Sequence, residues 1–533
     1  MADTTLGHTP ASPHDLVRAP DGMARATGES LVALLLPTKP MLCGGPARSG
    51  VLLVVALAVA LGASTAEALH QNSPGAIRMS HGAPVTQPST QSWGFQVPFA
   101  STDDLAKTGS TSRQIFVFGL FNYDCQHLVP GPALACPTVP GPVLTQETSG
   151  PGEPDNPSLN GSATLLAFDA DGAFGGGTGP GVGHRQIFLK NRTTGQISRI
   201  TDAPGGESVR PSVSQPGGMI VFESTAPLLG GSTGISQIFL YQVSTGVLTP
   251  VTNGAGPSTL PRFRKLSRIL AFESTADLLG NGHDTGVSQI FWYDRGSGQL
   301  HQLTRGNGAS HHPYVTSHAR LAPGLGAAGR GPAIFFDSAA HDLPGTSGGP
   351  GTQIYLGTTG LGDLPPITQL MPHAVAGCSP SSPGDTSYPS SDPSASHLAF
   401  LGTGDLLCNG TIGSRLFVLD LRASPTRLLQ ITGRGDVQGP VAASVGRWFV
   451  TLSTTDDMTG TGVCGHQLHV VDYFAGRWPA ATNAGQVPSE PPAGDPAASC
   501  NDGDPCTTDS CNPTTGCEHS PITGCTPPTT SVH

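Results

Sequence analysis

The chain has 533 residues, of which 72 are Gly and 50 Pro, with 12% charged residues and a net charge of −11. With 37% apolar residues, so little charge excludes wholesale disorder and suits a turn-dense β protein. The basic residues are scattered and form no stripe, which argues against a nucleic-acid partner.

Residues 51–61 form an apolar run, Val-Leu-Leu-Val-Val-Ala-Leu-Ala-Val-Ala-Leu, with Arg48 before it and Ala66-Glu67-Ala68 after it. Such a run, followed by small residues where a signal peptidase reads, predicts an export signal over 41–68. It is too short for a membrane span, so no integral membrane protein is expected after cleavage. Residues 1–40 are expected to come from an upstream start codon or to be disordered, and 69–85 to be a linker. Cleavage leaves ten cysteines, an even number that favours disulfides in a secreted, periplasmic or cell-surface protein. Cys125 and Cys136 lie in one long hairpin. Cys408 and Cys464 lie in corresponding loops of neighbouring units. Both pairs are disulfide candidates, and Cys378 has no obvious partner.

From residue 86 to 483 a unit repeats. Its marker reads Gln186-Ile187-Phe188, Gln237-Ile238-Phe239 and Gln289-Ile290-Phe291, with looser copies at Gln114, Gln353, Arg415 and Gln467. The seven markers are spaced by 72, 51, 52, 64, 62 and 52 residues, the signature of a solenoid or propeller. Around each marker stand runs rich in Val, Ile, Phe, Tyr and Thr, bounded by Gly, Pro, Asn and Ser, which read as strands and turns. One four-stranded sheet has two apolar faces and cannot cover both. Stacking such sheets around an axis covers them. The expectation is an all-β, seven-bladed β-propeller, with six blades as the alternative because the first copy is the most divergent. The last unit ends at Gly476-Arg477-Trp478-Pro479, in phase with Gly246-Val247-Leu248-Thr249, so no swapped strand is needed to close the ring; Gln486–Ser489 is a candidate for one.

The proline-led strand at Pro211, the strand ending Phe222-Glu223-Ser224, the Gln-Ile-Phe-x-Tyr strand and the Gly-x-Leu-x-x-x-Thr strand together resemble the WD-like propeller repeat of the TolB type. The likeness spans about residues 86–485. The unit lacks the Ser-Pro-Asp-Gly turn of that repeat, and Ser214-Gln215-Pro216-Gly217 is its nearest approach.

Residues 484–499 are rich in Pro, Ala and Gly and read as a linker. Cys500, Cys506, Cys511, Cys517 and Cys525 then fall within 26 residues, too few for an apolar core, so cross-links must hold this module (500–525) together. Residues 526–533 are expected to be a disordered tail. Cys506-Thr507, Asp509, Cys511, Gly516-Cys517 and His519 resemble the Cys-Thr-x-Asp-Cys repeat first noted in slime-mould surface proteins, which implies a structural, extracellular role. The cysteine spacings are not those of zinc knuckles. Asp502, Asp504 and Asp509 are weak calcium candidates, since no Glu closes the loop. No other cofactor is expected.

No catalytic set stands out. Gly345-Thr346-Ser347-Gly348-Gly349 matches the nucleophile-elbow pattern but is followed by Pro350, which leaves no room for the required helix. His311-His312 reads as a surface loop, because neighbours on a strand point to opposite faces and cannot share an ion. His283-Asp284 and His341-Asp342 read as solvated loop residues. The recurring Asp-Leu pairs at Asp104, Asp277, Asp342 and Asp405 are expected to cap turns. The predicted function is therefore non-enzymatic: a monomeric, exported binding protein that uses one propeller face to hold a protein, glycan or cell-envelope ligand. The alternatives are a lyase or glycosidase working in the central channel, with His184, His283 or Asp337 as places to look, and a structural surface protein.

Overall fold

The computed structural model describes residues 76–78, 85–86, 96–119, 143–472 and 506–522, apart from 103, 111, 231–233, 264–267, 283–285, 317–331, 347–350, 360–366, 372–383, 393–394, 409, 411, 423–426, 433–436, 444–448, 455–466 and 513–515. The leader, the 69–85 linker apart from 76–78 and 85, the 484–499 linker, the tail, Cys125, Cys136, Cys378, Cys464, Cys500, Cys525, Asp502, Asp504, His283 and Ser347 lie outside the described residues. Apart from one 3-10 turn at Phe174–Gly176, all regular structure described is β. None of it is a helix long and apolar enough to cross a membrane.

The strands form seven four-stranded antiparallel sheets and one separate hairpin. The first sheet comprises Val85–Thr86, Gln96–Ser101, Gln114–Gly119 and Val143–Gln146. Five more follow in the same order, each from four consecutive strands: from Asp155–Leu159 to Ile197–Arg199, from Ser208–Val213 to Val247–Pro250, from Ser258–Phe263 to Gln299–Gln302, from Ser310–Thr316 to Ile367–Gln369, and from Thr386–Ser391 to Arg427–Gln430. Every marker phrase falls in the third strand of its sheet.

The seventh sheet differs. Val437–Ala443, Phe449–Thr454 and Gln467–Asp472 supply three strands, and the fourth is Ala76–Arg78, paired antiparallel with Gln467–Asp472 so that Ile77 lies opposite Val470. The ring is thus closed by a strand from the segment expected to be a linker, correcting the expectation that each unit is self-contained. The physical reason is the edge: an unpaired third strand at the outside of the seventh sheet would leave a row of N–H and C=O groups without partners.

Repetition of the core explains the repeated aromatics. In the second and third strands Phe99 faces Phe116, Phe168 faces Phe188, Phe222 faces Phe239, Phe272 faces Phe291 and Phe400 faces Phe417. Each pair is stacked with centroids 5.6–5.9 Å apart, and Phe336 and Tyr355 do the same. Such pairs add about 0.5–1.5 kcal/mol beyond the area they bury. Buried apolar clusters then join sheet to sheet. Ile115 and Val117 of the first pack with Leu166 and Phe168 of the second. Leu468 of the seventh packs with Val97 and Phe99 of the first, so the last sheet meets the first. The architecture is a β-propeller.

The Gln of the marker and the Thr two residues beyond the fourth strand make a clasp. Thr252 donates to Gln237 Oε1 at 2.8 Å while its Oγ1 accepts the N–H of Ile238 at 2.8 Å. Gln237 Nε2 donates to the carbonyl of Gly254 at 3.0 Å. Gln289, Thr304, Ile290 and Gly306 repeat the arrangement. The marker glutamine is therefore scaffold. So are the Asp-Leu aspartates: Asp104 accepts the N–H groups of Thr108 and Gly109, Asp277 those of Asn281 and Gly282, and Asp405 that of Gly410. Asp342 departs from the pattern and accepts the N–H of Asn307 instead.

In the hairpin, Thr507–Asn512 pairs with Gly516–Pro521, which places Cys511 opposite Cys517 and Asp509 opposite His519. Cys408 in the propeller and Cys506 at the start of the hairpin module each take part in a disulfide of their own.

Candidate functional site in the central channel

The first strands of consecutive sheets lie against one another from the second sheet to the seventh, which makes them the innermost layer around the axis. Each carries a bulge before a proline. Pairing skips from Val209 to Ser212, from Thr259 to Arg262, from His311 to Tyr314 and from Ser387 to Ser390. The residue before the proline has a positive φ in each case: Asn156 (49°), Arg210 (53°), Leu260 (51°), His312 (53°) and Tyr388 (55°). In the seventh sheet this place is Gly439. A side chain other than Gly in this region is strained by roughly 1–3 kcal/mol and persists only when its surroundings enforce it.

Buried carboxylates hold three of these five bulges, those at Arg210, Leu260 and Tyr388. The residue after the stacked Phe in the second strand is Asp169, Glu223, Glu273 or Asp337 in the second to fifth sheets, each at most 5% exposed. Asp169 accepts the N–H of Arg210 at 2.9 Å, Glu223 that of Leu260 at 2.7 Å, and Asp337 that of Tyr388 at 2.9 Å. Every one of these bonds runs from one sheet to the bulge of the next. Each carboxylate also holds a basic group: Asp169 holds Arg185, Glu223 holds Arg210, Glu273 holds His311, and His312 Nδ1 lies 2.7 Å from Asp337. Arg113 pairs with Asp155 at 3.0 Å.

The acids are recessed and the bases stand in front. The side chain of Glu223 is 4% exposed against 39% for Arg210, and that of Glu273 6% against 44% for His311. Burial pushes the Asp169 carboxyl up to about 6 even though Arg185 and the Arg210 N–H oppose it. Burial likewise raises Glu223. The hydrogen bond to Glu273 raises His311. The ring of Tyr388 lies against that of His312 with centroids 4.0 Å apart.

His311 and His312 therefore do not sit in a surface loop. They belong to the inner strand Ser310–Thr316, and the positive φ at His312 breaks the alternation that would have sent them to opposite faces. Their rings are 5.9 Å apart, each on its own carboxylate. Asp337, singled out as a place to look, is at the same wall. His184 is elsewhere, half-exposed, accepting the N–H of Gly205 at 3.2 Å. His341 is exposed in its loop. No group of three metal-ligating side chains occurs among the described residues, and Asp509 stands in a strand. The sequence did carry a signal for the carboxylates: an acid in phase within an otherwise apolar strand in four consecutive units.

Residues 499–522 match the Dictyostelium (slime mold) repeat family. No curated protein matches the chain. Among solved structures the chain is similar to a putative TolB from Agrobacterium tumefaciens, at 15% identity over 54% of this chain and 81% of that one, TM-score 0.34. It is similar to an oligogalacturonate lyase from Vibrio parahaemolyticus, at 11% identity over 74% and 96%, TM-score 0.42. It is also similar to the β-propeller domain of the trilobed protease from Pyrococcus furiosus, at 8% over 70% and 90%, TM-score 0.41. The chain thus resembles TolB-type propellers and carries one slime-mould-type repeat.

Proposed function

We propose that the protein is an exported, seven-bladed propeller that binds a cell-envelope partner through the bulged inner strands of its channel, with the cysteine-rich repeat as an extracellular structural module. One observation supports this above others. The bulge geometry and the carboxylates behind it repeat, whereas the side chains held there do not: Asn156, Arg210, Leu260, His312 and Tyr388 are all different. Strain that is maintained around a ring to display dissimilar side chains suits recognition. The test is capture of envelope components by the mature protein, comparing wild type, the Arg210→Ala/Tyr388→Ala double variant and Val247→Lys on an exposed outer strand. A partner lost with the double variant and kept with Val247→Lys is the expected result. Equal capture by all three, with melting unchanged, would sink the reading.

A second reading, proton-transfer chemistry in the channel, has one observation in its favour. Asp337 engages Nδ1 of His312 and leaves Nε2 for a substrate, the orientation a general base needs. Turnover of a glycan panel that disappears with His312→Gln would move the assignment there.

A further inference from the structure

Arg262 breaks a pattern on the channel wall. Two residues beyond the bulge, the inner strands of the second, third and sixth sheets carry Ser158, Ser212 and Ser390, all buried. Ser158 Oγ accepts the N–H of Val213 at 3.0 Å and Ser212 Oγ that of Phe263 at 3.3 Å, so these small side chains stitch one inner strand to the next. The fourth and fifth sheets have Arg262 and Tyr314 in that place. Tyr314 is satisfied, its hydroxyl donating to the carbonyl of Ser391 at 2.7 Å. Arg262 is not: among the described residues its guanidinium has no hydrogen bond and no ion pair.

The charged groups around it are Arg210, Glu223 and Glu273, with the neutral Tyr314 beside them. Both carboxylates are already engaged. Glu223 holds Arg210 and the N–H of Leu260, and Glu273 holds His311 and accepts from Ser288 at 3.1 Å. Burial, then the like charge of Arg210, weakens the hold of Arg262 on its proton. A partly buried guanidinium beside another cation, with no anion of its own, is an arrangement that folding alone disfavours. Its planar fork of donors matches the two oxygens of a carboxylate or phosphate.

We infer that Arg262, with Arg210 beside it, forms an oxyanion site inside the channel that takes a carboxylate or phosphate group of the bound ligand. This rests on the channel being the binding surface, and it adds the chemical class of what enters.

Calorimetric titration of the full chain with inorganic phosphate and with citrate, against glycerol as a neutral control, tests it. Wild type should bind at least one of the two anions saturably. Arg262→Met should bind it at least tenfold more weakly, and Arg262→Lys should recover part of the loss. Arg262→Met should also melt no lower than wild type, since it removes an uncompensated charge. Phosphate alone would assign a phosphoryl source, and citrate alone a carboxylate source. Absence of saturable binding, undiminished binding by Arg262→Met, or a much lower melting temperature for that variant would each overturn the inference, the last by making Arg262 a structural residue. Anion binding that persists while envelope capture ignores the channel variants would overturn the partner reading and leave the oxyanion site standing.

Discussion

Asp337 accepts the backbone N–H of Tyr388 at 2.9 Å across the boundary between the fifth and sixth sheets, and the same oxygen lies 2.7 Å from Nδ1 of His312. One buried carboxylate thus holds a strained bulge on the next sheet and a histidine on its own. A hydrogen bond to a charged group contributes about 1.5–3 kcal/mol, comparable to the roughly 1–3 kcal/mol of strain it offsets. Asp337→Ala should destabilise the protein by about 3 kcal/mol in urea unfolding, in the range for breaking a buried pair. Asp337→Asn, which keeps an acceptor, should lose less. A loss below roughly 0.5 kcal/mol, that of an ordinary surface substitution, for Asp337→Ala would show that the bulge does not depend on the carboxylate.

The Gln237–Thr252 clasp makes a second prediction. Gln237 Oε1 accepts from both the Thr252 hydroxyl and the N–H of Gly254, and Thr252 Oγ1 in turn accepts the N–H of Ile238. Thr252→Val preserves shape and orphans the Ile238 N–H, so it should cost about 1–3 kcal/mol. Gln237→Ala should cost a similar amount. The double variant should be less destabilised than the sum of the two, because the groups share one network. Simple additivity in the double-mutant cycle would contradict the clasp.

Gly439 stands where the other inner strands present a side chain. A Cβ there would come within 2.5 Å of the Tyr388 ring, which is itself backed by His312. Gly439→Ala should therefore overpack the wall, at about 1–3 kcal/mol. Adding Tyr388→Ala should recover most of the loss in melting temperature. Failure of that rescue would mean the ring is not what Gly439 accommodates.

The third strands, the sheet count and the scaffold role of Gln237 and Asp277 follow from phase: a residue that recurs with the unit serves the unit. The channel wall was less legible. His311-His312 obeys strand alternation on paper, and only the positive φ at His312 puts both rings on carboxylates. The bulge did leave a trace, since Asn156, Arg210, Leu260, His312, Tyr388 and Gly439 all precede proline. A proline alone does not distinguish an extended entry from a bulge, because its ring restrains φ of the proline and only biases the residue before it. The closing strand Ala76–Arg78 was illegible for another reason. Three residues have no period, and their place is set by the open edge of Gln467–Asp472 rather than by their own sequence.

The His311–Glu273 pair makes the stability of the protein depend on pH in a stated direction. The hydrogen bond to Glu273 raises the His311 pKa above its usual value. A histidine raised on folding contributes stability that is complete below its unfolded value, about 6.5, and is lost as pH rises through the folded value. Asp169, pushed up to about 6 by burial, acts in the same sense lower down: its contribution is largest below about 3.9 and is lost as pH rises through about 6. Since Asp169 is common to both proteins, the difference between wild type and His311→Gln isolates the histidine. Wild type should exceed the variant in stability by more at pH 6 than at pH 9, with the gap closing between them. The gap should also survive salt better than that of an exposed pair, because Glu273 is nearly buried. A gap that is constant with pH would place the value of His311 in packing rather than in its charge.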